Sequence, residues 1–240
     1  MRLLIIRHGD PDYAIDGLTE RGKVEAELLS RKLVGERIDY SYCSPLGRAR
    51  LTAEPTLMKR GEEAEICPWL REFSYVRVDA EGNPEHILWD MHPTYMDAHP
   101  ELYSAEGWLK SEAIAASDAE AAYGEVCREF DALLLKHGYQ RDGANYRAVR
   151  SNHDTVVLFC HFGVMAVLLS HVWNCSPYLI WQHACVLPTG VTTLYTEERE
   201  EGVASLRAVS IGDTSHLYAG GEEPAFAARF CECFTDEDRH

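Results

Sequence analysis

Basic residues are scarce in this sequence. Among its 240 residues, 23 lysines and arginines stand against 39 aspartates and glutamates, which gives a formal net charge of −16. Binding to nucleic acids or to anionic membranes requires clustered lysine and arginine side chains. The composition therefore argues against both partners. It does not argue against a small anionic substrate, because a few converging cations in a pocket are enough to bind one.

The sequence also lacks the cysteine patterns of disulfide scaffolds and zinc sites. Its eight cysteines are scattered and include no Cys-x-x-Cys pair, so we expect reduced thiols. Cys231 and Cys233 stand close together, but no second pair of cysteines or histidines follows at ligand spacing. We therefore expect neither a structural metal nor another cofactor.

Long hydrophobic runs are missing as well. The first run, MRLLII, is too short for the apolar region of a secretory signal or for a transmembrane helix. We therefore expect a cytoplasmic protein. Hydrophobic residues make up 46% of the chain, which is enough to form a substantial core, so a single domain over residues 1–240 is expected.

Short strands and helices alternate along the chain. Residues 3–7 form a continuous apolar run rich in branched side chains, typical of a strand buried on both faces. A helix with Thr19 as N-cap follows, and Ser44 and Pro45 predict the cap and first residue of another. Further strands are predicted at 38–43, 64–66, 155–160, 190–195 and 205–211, and further helices at 117–137 and 164–173.

This alternation predicts an α/β fold with a mainly parallel sheet and helices on both faces. In such sheets, ligand sites form at the carboxyl ends of the strands. Arg7-His8-Gly9 ends one predicted strand, Ser44 follows a second, and His161-Phe162-Gly163 ends a third. We expect these segments to meet at one edge of the sheet.

Residues from about 79 to 143 interrupt the alternation. Clustered aromatic, histidine and proline residues come first, and a long amphipathic helix follows. We interpret this segment as a largely helical and loop insertion that caps the site. Two explanations fit its aromatic cluster: the side chains pack against one another, or some of them select the substrate. The residues in question are Trp89, His92, Tyr95 and Trp108.

Single residues at the predicted edge also have ordinary explanations. His8 or His161 alone fits a histidine satisfied by backbone hydrogen bonds, and Arg48 alone fits a solvated helix arginine, as Arg50 does. Glu72 alone fits a loop acid. The stronger signal is shared: each histidine follows an apolar strand and precedes, by one or two residues, a glycine at which the backbone can turn or be approached closely.

These segments resemble those of the histidine phosphatase superfamily, also called the phosphoglycerate mutase-like family. Four of its segments occur in order: Arg-His-Gly at 7–9, Ser, Arg-Ala and Thr-Ala within 44–53, Leu-x-Glu at 70–72, and an apolar strand ending in His-x-Gly at 156–163. Pro-Thr-Gly-Val-Thr at 188–192 and Gly-Asp-Thr-Ser-His-Leu at 212–217 are similar in placement. Apart from the insertion at about 79–143, the resemblance spans nearly the whole chain.

The resemblance implies a metal-independent phosphatase that hydrolyses phosphate monoesters. His8 would be the nucleophile that takes the phosphoryl group, and Glu72 would be the general acid and base. Arg7, Arg48 and His161 would bind the phosphate oxygens, a role that suits guanidinium groups because each binds two oxygens and stays charged.

This chemistry sets two requirements. The nucleophilic imidazole must be neutral, which nearby arginines favour, and its other nitrogen needs a fixed partner. We expect that partner to be a backbone carbonyl at the turn after Gly9. Glu72 must have its pKa raised toward neutrality by apolar or anionic surroundings, so that it can give a proton to the leaving oxygen and then take one from water.

Two departures from the family bear on the function. Its mutases usually follow Arg-His-Gly with Ser and then Trp-Asn, whereas Asp-Pro-Asp-Tyr follows Gly9 here; this weakens the alternative of a phosphoglycerate-type mutase. Its acid-phosphatase and phytase branch has Asp directly after the second histidine as the proton donor, where this chain has Phe162. The proton donor here must then be another residue, which leaves Glu72.

A second alternative to a phosphatase is an inactive member of the family that binds phosphorylated ligands or a protein. The expected substrate is a sugar phosphate, another phosphorylated metabolite or a phosphoprotein.

Overall fold

The computed structural model describes residues 1–225, so the Cys231 and Cys233 pair lies outside the described residues. The strands are β1 Arg2–Arg7, β2 Pro11–Asp12, β3 Gly17–Leu18, β4 Tyr40–Cys43, β5 Glu65–Ile66, β6 Arg77–Ala80, β7 Asn83–Ile87, β8 Tyr139–Asp142, β9 Asn145–Ala148, β10 Thr155–Cys160, β11 Val191–Glu200 and β12 Val203–Asp213. The α-helices are α1 Glu20–Val34, α2 Gly47–Arg60, α3 Pro93–Ala98, α4 Glu112–Ala115, α5 Ala119–Lys136, α6 Phe162–Trp173, α7 Tyr178–Trp181 and α8 Ser215–Ala219. Short 3₁₀ turns lie at Pro68–Leu70, Phe73–Tyr75, Pro100–Tyr103 and Trp108–Lys110. Within residues 1–225, no helix has the length and apolarity needed to cross a bilayer.

A mixed sheet forms the centre of the molecule. Among the described residues it has eight strands in the order β5-β4-β10-β1-β11-β12-β9-β8. The first four run parallel to one another, and the rest continue from β1 in antiparallel pairs. The parallel strands β4, β10 and β1 are neighbours, so their carboxyl ends share one edge of the sheet, as the sequence predicts.

Two hydrophobic cores lie on opposite faces of this sheet. Along β1, Leu3 and Ile5 point into the core that α5 and α6 cover, whereas Leu4 and Ile6 point into the core that α1 and α2 cover. Because both faces of β1 are covered, its sequence is continuously apolar rather than alternating. The predicted α/β class, with helices on both faces, is confirmed.

The start of α2 differs from the prediction. The helix begins at Gly47 with Leu46 as its N-cap, not at Pro45 with Ser44 as the cap. The Ser44 hydroxyl instead lies 2.7 Å from Nε2 of His161, at the end of the neighbouring strand. The Ser44 side chain, which the local sequence predicts to cap α2, thus connects the ends of β4 and β10 instead.

Other helix starts are closer to the prediction. Thr19 is the N-cap of α1, and its Oγ1 accepts the N–H of Gly22 at 3.0 Å. Helix α6 begins at Phe162, two residues before the predicted Val164. The strand β10 therefore passes almost directly into α6, with His161 between them.

The segment 79–143 is divided between two parts of the fold. Its first part contains most of the hairpin β6–β7, which the sequence did not predict, and short helices. Its last part contains α5, which packs into the same core as α6, and β8, which pairs with β9 at the edge of the central sheet. Trp108 is 1% exposed and packs against the rings of Tyr123 and Trp181. For Trp108, local packing is the right explanation.

Candidate active site

The shared strand edge brings the predicted site residues together. His8 follows β1 and His161 follows β10, and their ring centroids lie 5.1 Å apart. Arg7 and Arg48 both exert electrostatic effects on the two histidines and on Glu72. The five residues thus surround one buried position, although they come from four separate segments of the chain.

The ring of His8 has a fixed orientation. Nδ1 lies 2.7 Å from the carbonyl oxygen of Gly9, so Nδ1 carries the proton and donates it, as predicted. The backbone N–H of His8 donates to the carbonyl of Cys160 at 3.0 Å. Burial lowers the pKa of His8 well below its usual range, and Arg7 and Arg48 lower it further. The ring is therefore neutral at physiological pH, with the lone pair on Nε2.

His161 is oriented by Ser44. The Ser44 Oγ accepts the N–H of Leu46 at 3.3 Å and lies 2.7 Å from Nε2 of His161. If the hydroxyl donates to Nε2, the proton of the neutral ring is on Nδ1, which has no hydrogen-bond partner among residues 1–225. Burial lowers the pKa of His161 well below its usual range, with His8 adding to the effect. Nδ1–H is then a donor available to an anion.

The two arginines of the site are buried, and each is held by a specific acceptor. Arg7 is 3% exposed, and its Nη1 donates to the carbonyl of Val186. Burial lowers the pKa of Arg7, but a guanidinium remains charged at physiological pH. Arg48 is 8% exposed, and its Nη1 donates to Oδ1 of Asp16 at 2.6 Å. Arg50, predicted to be a surface residue, is exposed.

Glu72 lies at the N-terminus of α6. Its Oε1 accepts the N–H of Phe73 at 2.7 Å and that of Val164, in the first turn of α6, at 3.2 Å. Burial raises the pKa of Glu72, opposed by the N–H of Phe73 and by the site arginines. A Cβ on Gly163 would lie 2.4 Å from Oε1 and 2.9 Å from Nε1 of Trp89. Only glycine leaves room for this carboxyl group beside the helix.

Sequence reasoning missed several residues that hold the loop after β1. Thr52 Oγ1 accepts the N–H of Gly9 at 2.9 Å and donates to the carbonyl of Arg48 at 2.7 Å, so it connects the loop after β1 to α2. Glu25 Oε2 accepts the N–H of Asp10 at 2.7 Å. Thr52 lies within the family-like Thr-Ala segment, which was the available signal for it.

A further support lies behind His8. Thr189 has a left-handed backbone with φ +56°, and its N–H donates to the carbonyl of His8 at 3.1 Å. Its hydroxyl donates to the carbonyl of Pro188 at 2.7 Å, and it accepts from Nε2 of His216 at 2.9 Å. The signal in the sequence was the placement of the segments at 188–192 and 212–217.

Among the described residues, no group of three or more histidine, cysteine, aspartate or glutamate side chains is arranged to hold a metal ion. The positive charge at the site comes from the side chains of two arginines, and the Nδ1–H of His161 is a further donor. Such an arrangement is suited to a tetrahedral anion.

Comparison with known proteins identifies the class. The sequence matches the histidine phosphatase superfamily (branch 1) over residues 3–208, so this chain belongs to that superfamily, and the predicted family is confirmed. It is 27% identical over 195 residues to the adenosylcobalamin/alpha-ribazole phosphatase of Escherichia coli (strain K12), covering 75% of this chain and 83% of that protein. It is 24% identical over 219 residues to phosphoserine phosphatase 1 of Hydrogenobacter thermophilus, covering 86% of this chain and 92% of that protein.

A solved structure agrees in fold. A mutant phosphoserine phosphatase from Entamoeba histolytica in complex with phosphoserine superposes with a TM-score of 0.61 at 17% identity, over 90% of this chain and 98% of that chain. At this identity the match establishes the arrangement of strands and helices and leaves the substrate to be argued from the site.

Proposed function

We propose that this protein is a phosphatase that hydrolyses phosphate monoesters through a phosphohistidine on His8. The observation that carries the proposal is the orientation of the His8 ring. Its Nδ1 proton is engaged by the carbonyl of Gly9 at 2.7 Å, so Nε2 is the nucleophilic atom, in a buried site that also holds Arg7 and Arg48. A nucleophile with a fixed tautomer beside fixed cations is what phosphoryl transfer to histidine requires.

In the proposed first step, Arg7, Arg48 and His161 bind the oxygens of the ester and balance their negative charge. Nε2 of His8 attacks phosphorus, the bond from phosphorus to the ester oxygen breaks, and protonated Glu72 gives its proton to the departing alkoxide. The raised pKa of Glu72 supports this role, because it favours the protonated carboxyl group before the step.

In the second step, the Glu72 carboxylate takes a proton from a water molecule, whose oxygen attacks the phosphorus of phosphohistidine. Inorganic phosphate leaves, and His8 and Glu72 return to their first states. Because the two arginines supply the compensating charge, we propose that no metal ion takes part, and we expect hydrolysis to persist in the presence of a chelator.

We further propose that residues 79–143 cap the site within a single domain. Trp89, from this segment, lies beside Gly163 and Glu72 and packs edge-on against Phe162 with ring centroids 6.2 Å apart. This position supports a role for Trp89 in contacting the leaving group. The substrate class is a small phosphorylated metabolite, and phosphoserine and alpha-ribazole phosphate, suggested by the names of relatives, are the first compounds to try.

The free thiols of the described cysteines fit a reducing compartment such as the cytoplasm.

Substitution of the nucleophile tests the proposal. In His8→Ala, we expect kcat for an aryl phosphate, assayed with a chelator present, to fall by at least about a thousandfold, because the covalent step is lost. A radioactive phosphate ester should label the wild-type protein with an acid-labile, base-stable phosphoryl group and leave His8→Ala unlabelled. His153→Ala, which changes an exposed histidine, is the matched control and should behave as the wild type.

Other outcomes separate the alternatives. Substantial hydrolysis by His8→Ala would show that the nucleophile is misassigned. Transfer of phosphate to a second substrate in preference to water would indicate a mutase. A wild-type protein that binds phosphate esters without turning them over would be an inactive, ligand-binding member of the family.

A further inference from the structure

Asp16 holds the first residues of α2 with both oxygens of its carboxylate. Oδ1 accepts from Nη1 of Arg48 at 2.6 Å, and Oδ2 accepts the backbone N–H of Gly47, also at 2.6 Å. Asp16 lies in the short β2–β3 hairpin that follows the loop after β1. One carboxylate thus connects this hairpin to the helix that carries a phosphate-binding arginine.

The backbone of Asp16 is shaped for this contact. Its φ is +48°, in the left-handed region that aspartate tolerates better than most residues. Its carbonyl packs so closely on Gly47 that a Cβ there would lie 2.2 Å from the oxygen. The left-handed backbone of Asp16 and the glycine at position 47 together allow the hairpin and the start of α2 to pack at close range.

The contact leaves one edge of the Arg48 guanidinium available. Nη1 is bound by Asp16, whereas Nε is buried and has no hydrogen-bond partner within residues 1–225. Buried N–H donors are nearly always bonded. The edge formed by Nε and Nη2 is a fork that matches two oxygens of a phosphate. The ring of Tyr13 lies 5.5 Å from Cζ of Arg48 and covers a face of the guanidinium.

We infer that Asp16 is a positioning residue that fixes Arg48 with its Nε–Nη2 edge available to phosphate. The inference rests on the proposed function, because it takes Arg48 as a phosphate ligand. Asp16 acts through Arg48 and does not touch the substrate. As an anion it reduces the net positive charge of the site, so its contribution is orientation of the guanidinium and not attraction of the dianion.

Asp16→Asn tests this inference, because it replaces one of the two carboxylate oxygens by an NH₂ donor, which faces the N–H of either Arg48 or Gly47 and cannot accept from it. We expect the affinity for inorganic phosphate, measured by calorimetry, and kcat/KM for an aryl phosphate each to fall about tenfold to a hundredfold. Asp12→Asn is the matched control in the same hairpin; the Asp12 carboxylate accepts the N–H of Ala14 at 3.0 Å and has no contact with Arg48 among residues 1–225, so its replacement should leave both quantities unchanged.

A double-mutant cycle distinguishes positioning from a general loss of structure. Introduced into Arg48→Ala, the Asp16→Asn change should cause no further loss of phosphate affinity, because its effect passes through the missing guanidinium. An equal loss in both backgrounds would overturn the inference, and so would unchanged or tighter phosphate binding in the single variant. If Asp16→Asn fails to fold, Asp16→Gly removes the carboxylate while favouring the positive φ, and the same losses are expected.

Phosphate affinity also separates this inference from the proposed function. A wild-type protein that binds inorganic phosphate but does not hydrolyse esters would remove the proposed function and leave the role of Asp16 in place. Normal hydrolysis by the wild type, together with unaltered phosphate binding in Asp16→Asn, would support the proposed function and remove the role of Asp16.

Discussion

Glu72 and His8 have pKa values displaced in opposite directions. Burial raises the pKa of the Glu72 carboxyl group and lowers that of the His8 imidazole. For an acid, the raised pKa favours the protonated form that can donate, and for a base, the lowered pKa favours the neutral form that can attack. Each residue is therefore held in the form that the first proposed step needs.

Replacement of Glu72 by glutamine keeps the shape of the side chain and an acceptor for the N–H groups of Phe73 and Val164, but removes the acidic proton. For alkyl phosphates, whose leaving groups need protonation, we expect kcat/KM to fall by about a hundredfold or more. For activated aryl phosphates the loss should be much smaller. Steady-state kinetics over a series of leaving groups measures the difference, with Glu129→Gln, on the exposed side of α5, as the control.

The pH profile provides a second readout of the same substitution. Activity should fall at low pH, as His8 becomes protonated, and at high pH, as Glu72 loses its proton, and only the alkaline limb should disappear in Glu72→Gln. Equal losses for alkyl and aryl substrates would show that Glu72 is not the acid.

At the residue scale, the sequence was a better guide to the residues proposed to act on the substrate than to the residues that position them. Arg7, His8 and His161 stand at strand ends, where position in the chain indicates position in the sheet. Asp12 and Asp16 are two aspartates of one short hairpin with similar local signals. Only the packing of the hairpin on α2 distinguishes them, because Asp16 contacts Arg48 and Asp12 does not.

At the scale of elements, the join between β10 and α6 determines the position of Glu72. The first turn of α6 donates the N–H of Val164 to Glu72, and Gly163, in the same turn, leaves the space that the carboxyl group occupies. Helix α6 therefore contributes both a hydrogen-bond donor and a gap in its side-chain surface.

Gly163→Ala fills this gap. Its Cβ would lie 2.4 Å from Oε1 of Glu72, the end of a flexible side chain, so the clash can be relieved by displacing the carboxyl group. We expect kcat/KM for alkyl phosphates to fall by about a hundredfold, since a displacement of roughly 1 Å has effects of that size, with little change in melting temperature. Gly124→Ala, inside α5, is the control and should be active. An active Gly163→Ala enzyme would show that the position of Glu72 is not critical.

The elements that the sequence predicted are those with a strong apolar pattern. Strands β1 and β10 are buried on both faces, so their apolar runs are unbroken, and both were predicted. The hairpins β6–β7 and β8–β9 were not, because their strands are short and largely polar, as Asn83–Ile87 and Asn145–Ala148 show. The start of α2 was misplaced because a tertiary partner, His161, takes the hydroxyl of Ser44.

At the scale of the whole molecule, buried histidines make the fold sensitive to acid. Burial lowers the pKa of His216 to about 4, from an unfolded value near 6.5. Between these two values the unfolded chain binds more protons than the folded one, so stability is fully present above about pH 6.5 and is lost as the pH falls toward 4. For His216 alone the loss is about 3 kcal/mol, and lowered pKa values of His8 and His161 act in the same direction.

Denaturant unfolding between pH 4.5 and 7.5 measures this dependence. His216→Asn should lower stability at neutral pH, because the bond to Thr189 is disturbed, and should flatten the loss on acidification relative to the wild type. His153→Asn, at an exposed position, should leave the curve unchanged. An equally steep acid dependence in His216→Asn would show that this histidine does not titrate with unfolding.

The position of β1 at the centre of the sheet also determines when during synthesis the sheet can form. The first strand of the chain has as neighbours β10 and β11, which are among the last made: Arg7 pairs with Cys160, and Ile6 with Val191. Pairings so distant in sequence are slow to form and leave strand edges open while they wait. During translation, β1 must therefore stay without its partners until β10 and β11 have been made, and the proposed phosphate site cannot be complete before then.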